Sequence, residues 1–74
     1  MKWYLIETQN GRSRCAKVEG TKAYIESLVA DIVSRKSPSE VEWCDCSDSK
    51  VYTAVLKDGV LTEYSAYNID EERG

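Results

Sequence analysis

The chain has 74 residues, no histidine and a formal net charge of −3. A chain this short buries only about 60% of its unfolded surface, which leaves little room for a deep active site. Without histidine it lacks the usual general base near neutral pH and the commonest metal ligand, so we expect a protein that is not an enzyme and holds no cofactor. No apolar run approaches the ~20 residues of a membrane span, and the first residues lead into strand-like sequence, so we expect one cytoplasmic domain.

The first two elements are predicted to form a hairpin. Lys2 to Gln9 is rich in strand-forming residues, Asn10-Gly11 is the strongest short hairpin turn, and Arg12 to Glu19 reads as the second strand. A two-residue loop makes Gln9 pair with Arg12. The register that follows places Glu7 opposite Arg14, Ile6 opposite Cys15, Leu5 opposite Ala16 and Trp3 opposite Val18. Opposite charges and apolar residues fall together, which supports this register.

One helix is predicted from Lys22 to Lys36. Gly20-Thr21 has the form of a strand exit followed by a helix N-cap. Apolar residues then recur with helical spacing at Ile25, Leu28, Val29 and Ile32. Arg35 and Lys36 suit the negative end of the helix dipole, and Pro38 ends the helix in a turn.

Three strands are predicted in the second half: Val41 to Cys46, Val51 to Lys57 and Val60 to Ile69. Asp58-Gly59 is a second two-residue hairpin signal. The fold class is therefore α+β, a mainly antiparallel five-stranded sheet with one helix on one face, in the order β-β-α-β-β-β. The strand order does not follow from the sequence, and we expect residues 70–74 to fray.

A single helix covers one sheet face, so the composition of the other face bears on function. The Asp58-Gly59 turn places Tyr52, Ala54 and Leu56 on one face, together with Leu61 and Glu63. The side chains of Val51, Thr53 and Val55 then lie on the other face, which suits a position under the helix. If Asp48-Ser49 is also a two-residue turn, Trp43 and Asp45 join Tyr52 on the face that the helix does not cover. Glu42, Cys44 and Cys46 then lie under the helix. A slip of one residue reverses that placement.

The cysteine pattern is weak evidence for chemistry. Cys44 and Cys46 are separated by one residue, which does not match the usual zinc spacing, and with Cys15 the number of cysteines is odd. Residues two apart share one face of a strand, so we interpret Cys44 and Cys46 as small half-buried residues in a reducing compartment. No metal ligands are predicted.

Charge is divided unevenly along the chain. Residues 1–36 contain seven basic and four acidic residues, a net charge of +3, whereas residues 37–74 contain three basic and nine acidic residues, a net charge of −6. The chain also has two Trp, five Tyr and no Phe, and Trp and Tyr are enriched in binding interfaces. We therefore predict a partner-binding patch that combines acidic and aromatic residues. Its predicted members are Trp43, Asp45, Asp48, Tyr52, Glu63 and Tyr67.

In size, in its acidic strands and in lacking catalytic motifs, the chain resembles the small acidic α+β proteins that phages encode against host nucleic-acid machinery, such as anti-CRISPR proteins. The resemblance concerns the general class and assigns no individual residue. It implies stoichiometric inhibition of a larger protein or ribonucleoprotein with a basic surface, in the host cytoplasm if the chain is phage-encoded. Carboxylates on neighbouring strands can approximate the spacing of backbone phosphates.

Two alternatives remain open. The chain could be an assembly domain, for example a homodimer, that self-associates through the open sheet face or a sheet edge. It could also bind nucleic acid through the basic first hairpin, with Arg12, Arg14 and Lys17. The negative net charge argues against direct nucleic-acid binding.

Overall fold

The structure, a computed structural model, describes residues 1–47 and 49–69, and of residues 45–47 only the main chain. Five strands and one helix succeed one another in the predicted order. Their bounds are β1 Lys2–Gln9, β2 Arg12–Glu19, α1 Lys22–Lys36, β3 Glu40–Ser47, β4 Lys50–Lys57 and β5 Val60–Asn68. The predicted α+β class is therefore confirmed.

The sheet is antiparallel throughout, with the strand order β2-β1-β5-β4-β3. The hairpin β1–β2 has the predicted register, with Glu7 opposite Arg14 and Trp3 opposite Val18. At Asn10-Gly11 and at Asp58-Gly59 both turn residues have positive φ, between 52° and 77°. This is the geometry of a type I′ turn, whose twist matches that of the two strands it joins. The first and last strands meet at the centre of the sheet, so both tight hairpins build on the β1–β5 pair.

Helix α1 begins and ends as its sequence predicts. The Thr21 hydroxyl accepts a hydrogen bond from the main-chain N–H of Tyr24, and Ser37 ends the helix in the left-handed conformation. The buried face is rotated slightly from the predicted stripe, because Ile25, Val29 and Val33 are the buried residues. Leu28 and Ile32 are only half-buried.

The core lies between α1 and one face of the sheet. Its buried side chains are Trp3, Ile25, Val29, Val33, Val51, Val55, Tyr64 and Ala66. The indole N–H of Trp3 donates to the Gly20 carbonyl at 3.0 Å, which joins β1 to the residue before the helix cap. The ring of Tyr24 stands over Gly20, where a Cβ atom would lie 2.4 Å from Tyr24 Cδ2. Among the described residues, no helix is long and apolar enough to span a membrane.

The predicted face assignment of β3 is wrong by one residue. Trp43 lies opposite Thr53, and Glu42 lies opposite Ala54. The register shifts between Cys44 and Ser47, which pairs with Lys50. Because an irregularity in β3 offsets the ladder, the turn alone does not set the register of residues 40–44. Trp43 therefore shares the face of the buried Thr53, and Glu42 lies on the face away from the helix.

Candidate functional site

The face of the sheet turned away from α1, here called the open face, alternates along each strand with the core residues. On β4 its members are Tyr52, Ala54 and Leu56, which are half-buried although no described element covers them. On the neighbouring strands Tyr67 is 38% exposed and Leu61 is 52% exposed. This face thus presents a broad apolar and aromatic surface.

A row of two tyrosines flanked by two lysines crosses the open face at one end. The cross-strand pairs are Lys17 with Tyr4, Tyr4 with Tyr67, and Tyr67 with Lys50. The Lys50 ammonium lies 5.3 Å from the centre of the Tyr67 ring, and the Lys17 ammonium lies 5.8 Å from that of Tyr4. Both contacts are within the range of cation–π attraction. The lysines therefore hold the rings in place and make this end of the face basic.

Carboxylates gather at the other end of the open face. Glu63 on β5 and Glu42 on β3 both lie beside Ala54 of β4, one on each side of it, and Glu40 lies one row further along β3. We call Glu40, Glu42 and Glu63 the acidic corner. Since alternate residues of a strand are about 6.8 Å apart and strands are about 4.8 Å apart, these three residues occupy sheet positions roughly 7 to 12 Å apart.

A shallow depression that is lined in part by apolar side chains lies beside Glu40 and Glu42. It has a volume of about 230 Å³ and is lined by Ala54, Leu56 and Leu61, with Glu40 and Glu42 at its rim. An aliphatic stem that ends in a cation suits such a depression, because the stem covers apolar surface while the charge meets carboxylates. The chemistry of this site therefore favours an arginine or lysine side chain.

The hydroxyl of Tyr52 donates a hydrogen bond to Glu63 Oε2 and links the aromatic surface to the acidic corner. This bond to a carboxylate raises the pKa of Tyr52 to about 12, with further contributions from burial and from the charges of Glu63, Glu42 and Cys44. At neutral pH the phenol is therefore protonated. The bond holds the Glu63 carboxylate beside Tyr52 in the middle of the face.

A similar pair lies on the helix side of the sheet. Tyr64 donates to Glu7 Oε2 at 2.8 Å, and burial is the first cause, and the bond to Glu7 the second, of the raised pKa of Tyr64. Tyr64 is almost wholly buried, at 2% exposure, so this pair belongs to the core. It gives Glu7, a half-buried residue of the first hairpin, a hydrogen-bond donor on β5.

The structure brings together only part of the predicted patch. Tyr52, Glu63 and Tyr67 share the open face as predicted, but Trp43 does not, because the offset of β3 turns it to the helix side, where it is 46% exposed. Asp48 lies outside the described residues, as does the side chain of Asp45. The interpretation of Cys44 as half-buried is wrong, since it is exposed opposite Tyr52.

Sequence reasoning missed Glu40 and Glu42 at this site. The signal that could have found them is the alternation in β3, where Glu40 and Glu42 occupy one set of positions and Val41 and Trp43 the other. The observed register, which was not predicted, aligns Glu40 and Glu42 with Leu56 and Ala54. Sequence reasoning also missed Tyr4, which joins Tyr67 only because β1 and β5 are neighbours.

The basic residues of the first hairpin do not form one patch. Arg12 and Arg14 lie opposite Gln9 and Glu7 on the helix side of the sheet, whereas Lys17 lies opposite Tyr4 on the open face. Their common feature is their strand, β2, which is an edge of the sheet.

Within the described part of the chain, no group of three or more Cys, Asp or Glu residues is arranged to hold a metal ion. Comparison of the chain with protein-family models, with curated proteins and with solved structures gave no match. The arguments about function therefore come from the geometry of this chain alone.

Proposed function

We propose that this chain is a protein-binding inhibitor that applies its open face to a basic, nucleic-acid-binding surface of a larger protein or ribonucleoprotein. The observation that carries the proposal is the acidic corner, where three carboxylates lie on two strands and two of them, Glu40 and Glu42, line a depression with apolar side chains. A surface that binds nucleic acid presents arginine and lysine side chains to phosphates. Carboxylates on sheet positions roughly 7 to 12 Å apart would meet such side chains in place of phosphates.

Beside the acidic corner, the open face supplies apolar area for binding. Tyr52 and Leu56 are half-buried, and Leu61 and Tyr67 are exposed. Tyrosine in an interface offers a large apolar ring and a polar tip at a small entropic cost. Electrostatic attraction would speed the encounter, while the rings and the depression would slow dissociation.

The first experiment tests the surface itself with a nona-arginine peptide as the probe. In a titration of isotope-labelled protein at low salt, we expect amide shifts to concentrate at Glu40, Glu42 and Glu63 and at the strands around them. Affinity should fall about tenfold or more when Glu42→Lys reverses one carboxylate. The matched control is Glu26→Lys, the same change at an exposed position on α1. Equal losses in the two variants would show that only net charge matters and would contradict the proposed site.

The second experiment tests inhibition. Purified RNA-guided nuclease complexes, which hold nucleic acid in a basic channel, are mixed with increasing amounts of the protein, and binding of labelled target DNA is followed by electrophoretic mobility. We expect wild-type protein to release the DNA at a molar ratio near one, and the variant Glu42→Lys/Glu63→Lys to leave it bound. Release of DNA by both proteins alike would contradict a role for the acidic corner.

A further inference from the structure

The charge division of the sequence becomes a division between the two edges of the sheet. The strand order places β2 at one edge and β3 at the other. β2 carries Arg12, Arg14 and Lys17 with one acidic residue, Glu19. β3 carries Glu40, Glu42 and Asp45 and no basic residue. One edge is therefore positive and the opposite edge negative.

Both edges are accessible. Every side chain from Arg12 to Lys17 is exposed, and so is every side chain from Glu40 to Cys44. An outermost strand also presents a row of main-chain N–H and C=O groups that can pair with another strand. Val41 and Trp43, which are 42% and 46% exposed, add apolar area on the helix side of the β3 edge.

These charges discriminate between the ways in which two copies could pair. Two β2 edges would bring arginines together, and two β3 edges would bring glutamates together, so both symmetric arrangements are opposed by like charges. Pairing of β3 with β2 brings opposite charges together. We propose that copies of this chain associate head to tail, with β3 of one copy extending the sheet along β2 of the next. This interface is an edge of the sheet and goes beyond the function proposed for the open face.

The charge pattern selects the orientation of the second copy. Arg12 and Arg14 lie on the helix side of β2, whereas Glu40 and Glu42 lie on the open side of β3. They reach the same side of a joined sheet only if the second copy is turned over, so that its helix lies on the opposite face. Turning the copy over in this way also makes β3 and β2 antiparallel, which is the more stable form of pairing.

Among the antiparallel registers that place a glutamate directly opposite an arginine, the one with the most residue pairs joins residues 40–44 of one copy to residues 16–12 of the next. Residues 40–44 are the regular part of β3, before its irregularity. Glu42 then lies opposite Arg14, with Arg12 and Glu40 at the diagonal positions that long side chains reach. On the other side, Val41 lies opposite Cys15 and Trp43 opposite Ser13. The contact leaves one β2 and one β3 edge unused, so assembly can continue.

The test follows mass against concentration and salt by analytical ultracentrifugation. At low salt the mass of the wild-type assembly should rise above that of a dimer as the protein concentration increases. The mass should fall as salt is added. Arg14→Glu and Glu42→Lys should each weaken association about tenfold. An equimolar mixture of the two variants should restore it, because each then offers the other a complementary edge. Lys57→Glu and Glu26→Lys, which change exposed residues elsewhere, should leave association unchanged.

A second measurement protects the test against a folding defect. Arg14 lies opposite Glu7 in the hairpin, so circular dichroism must show that Arg14→Glu is folded. If it is not, Arg12→Glu, which changes a residue opposite Gln9, takes its place.

In a background without the native cysteines, Arg14→Cys/Glu42→Cys should give a ladder of disulfide-linked chains under mild oxidation. A strict monomer at low salt and high concentration would overturn the proposal. So would a mixture of variants that fails to recover the wild-type mass.

Discussion

The hydroxyl of Thr53 donates a hydrogen bond to the main-chain carbonyl of Glu42 at 2.8 Å. Thr53 is completely buried, so its hydroxyl needs a partner inside the protein. In the predicted register Thr53 would have lain opposite Cys44, whereas it lies opposite Trp43. The bond reaches from Thr53 to the neighbour of its cross-strand partner and ties β3 to β4 in the observed register. It therefore favours the placement of Glu42 on the open face.

The first prediction concerns this bond. Thr53→Val keeps the shape of the side chain but removes the donor, so we expect the free energy of unfolding to fall by about 1 kcal/mol. Amide exchange should accelerate in β3, because the bond attaches an edge strand. Denaturant unfolding and hydrogen exchange measure the two effects. Thr8→Val, where the hydroxyl is paired with Ser13 at an exposed position, is the control and should change stability by less than about 0.5 kcal/mol.

The second prediction contrasts the two tryptophans. Trp3 is buried and hydrogen-bonded, whereas Trp43 is 46% exposed. Trp3→Phe should cost about 2 kcal/mol, from a cavity and a lost hydrogen bond. Trp43→Phe should leave stability unchanged within about 0.5 kcal/mol. Fluorescence quenching by iodide checks the assignment, since only the emission that disappears in Trp43→Phe should be strongly quenched. Equal quenching of both tryptophans would contradict the described core.

The third prediction concerns stability at high pH. The pKa of Tyr52 is raised from 10.0 to about 12 in the folded protein. The folded state therefore holds the phenolic proton more tightly than the unfolded state does. The resulting stabilisation is complete below pH 10.0 and is lost as the pH rises from there to about 12. Tyr52→Phe should make the free energy of unfolding less dependent on pH in this window.

Glu63→Gln tests the cause of that shift. It removes the negative charge of the group that accepts the hydrogen bond from Tyr52, so the tyrosine should ionise nearer its ordinary pKa. Ultraviolet absorbance of tyrosinate against pH follows this directly, while Tyr64, whose pKa is also raised, stays protonated in both proteins. Glu26→Gln on α1 is the matched control. An unchanged titration in Glu63→Gln would show that the charge of Glu63 does not raise the pKa of Tyr52.

The fourth prediction concerns the turn between β4 and β5. Gly59 has a φ of +77°, and a Cβ atom there would meet no other atom within 4 Å. Gly59→Ala should therefore destabilise the protein by about 1 kcal/mol through backbone strain alone. D-alanine at position 59, introduced by chemical synthesis, favours positive φ and should restore or exceed wild-type stability. Chemical denaturation of the three proteins measures the difference, and a loss with both isomers would indicate a steric cause instead.

Much of the fold could be predicted because its signals are local. Asn10-Gly11 and Asp58-Gly59 specify tight turns, and a two-residue turn fixes the register of the whole hairpin. The bounds of α1 follow from Thr21 and from the residues before Pro38. The strand order could not be predicted in this way, because β1 and β5 are far apart in the sequence and no local pattern encodes their pairing.

The candidate site could be predicted only where it depends on the second hairpin. Tyr52, Glu63 and Tyr67 were placed on one face by the Asp58-Gly59 turn, and the structure has them there. The predicted faces of Glu42 and Trp43 were the reverse of the observed ones, because the register of β3 depends on an irregularity within the strand rather than on a turn signal. The hydrogen bond of the buried Thr53 to a main-chain carbonyl of β3 also supports this register, and the pattern of apolar residues does not predict such a bond.

The irregularity between Cys44 and Ser47 decides which side chains β3 presents on the open face. Cys44 lies opposite Tyr52 and Ser47 lies opposite Lys50, so two residues of β3 stand against one residue of β4. Regular pairing of the same residues from Ser47 onward would place an indole and an isopropyl group, and not the carboxylates, beside Ala54 and Leu56. Loss of one residue from 45–47 would instead remove the surplus residue and leave Cys44 opposite Tyr52, so a deletion of three nucleotides in this segment would spare the acidic corner.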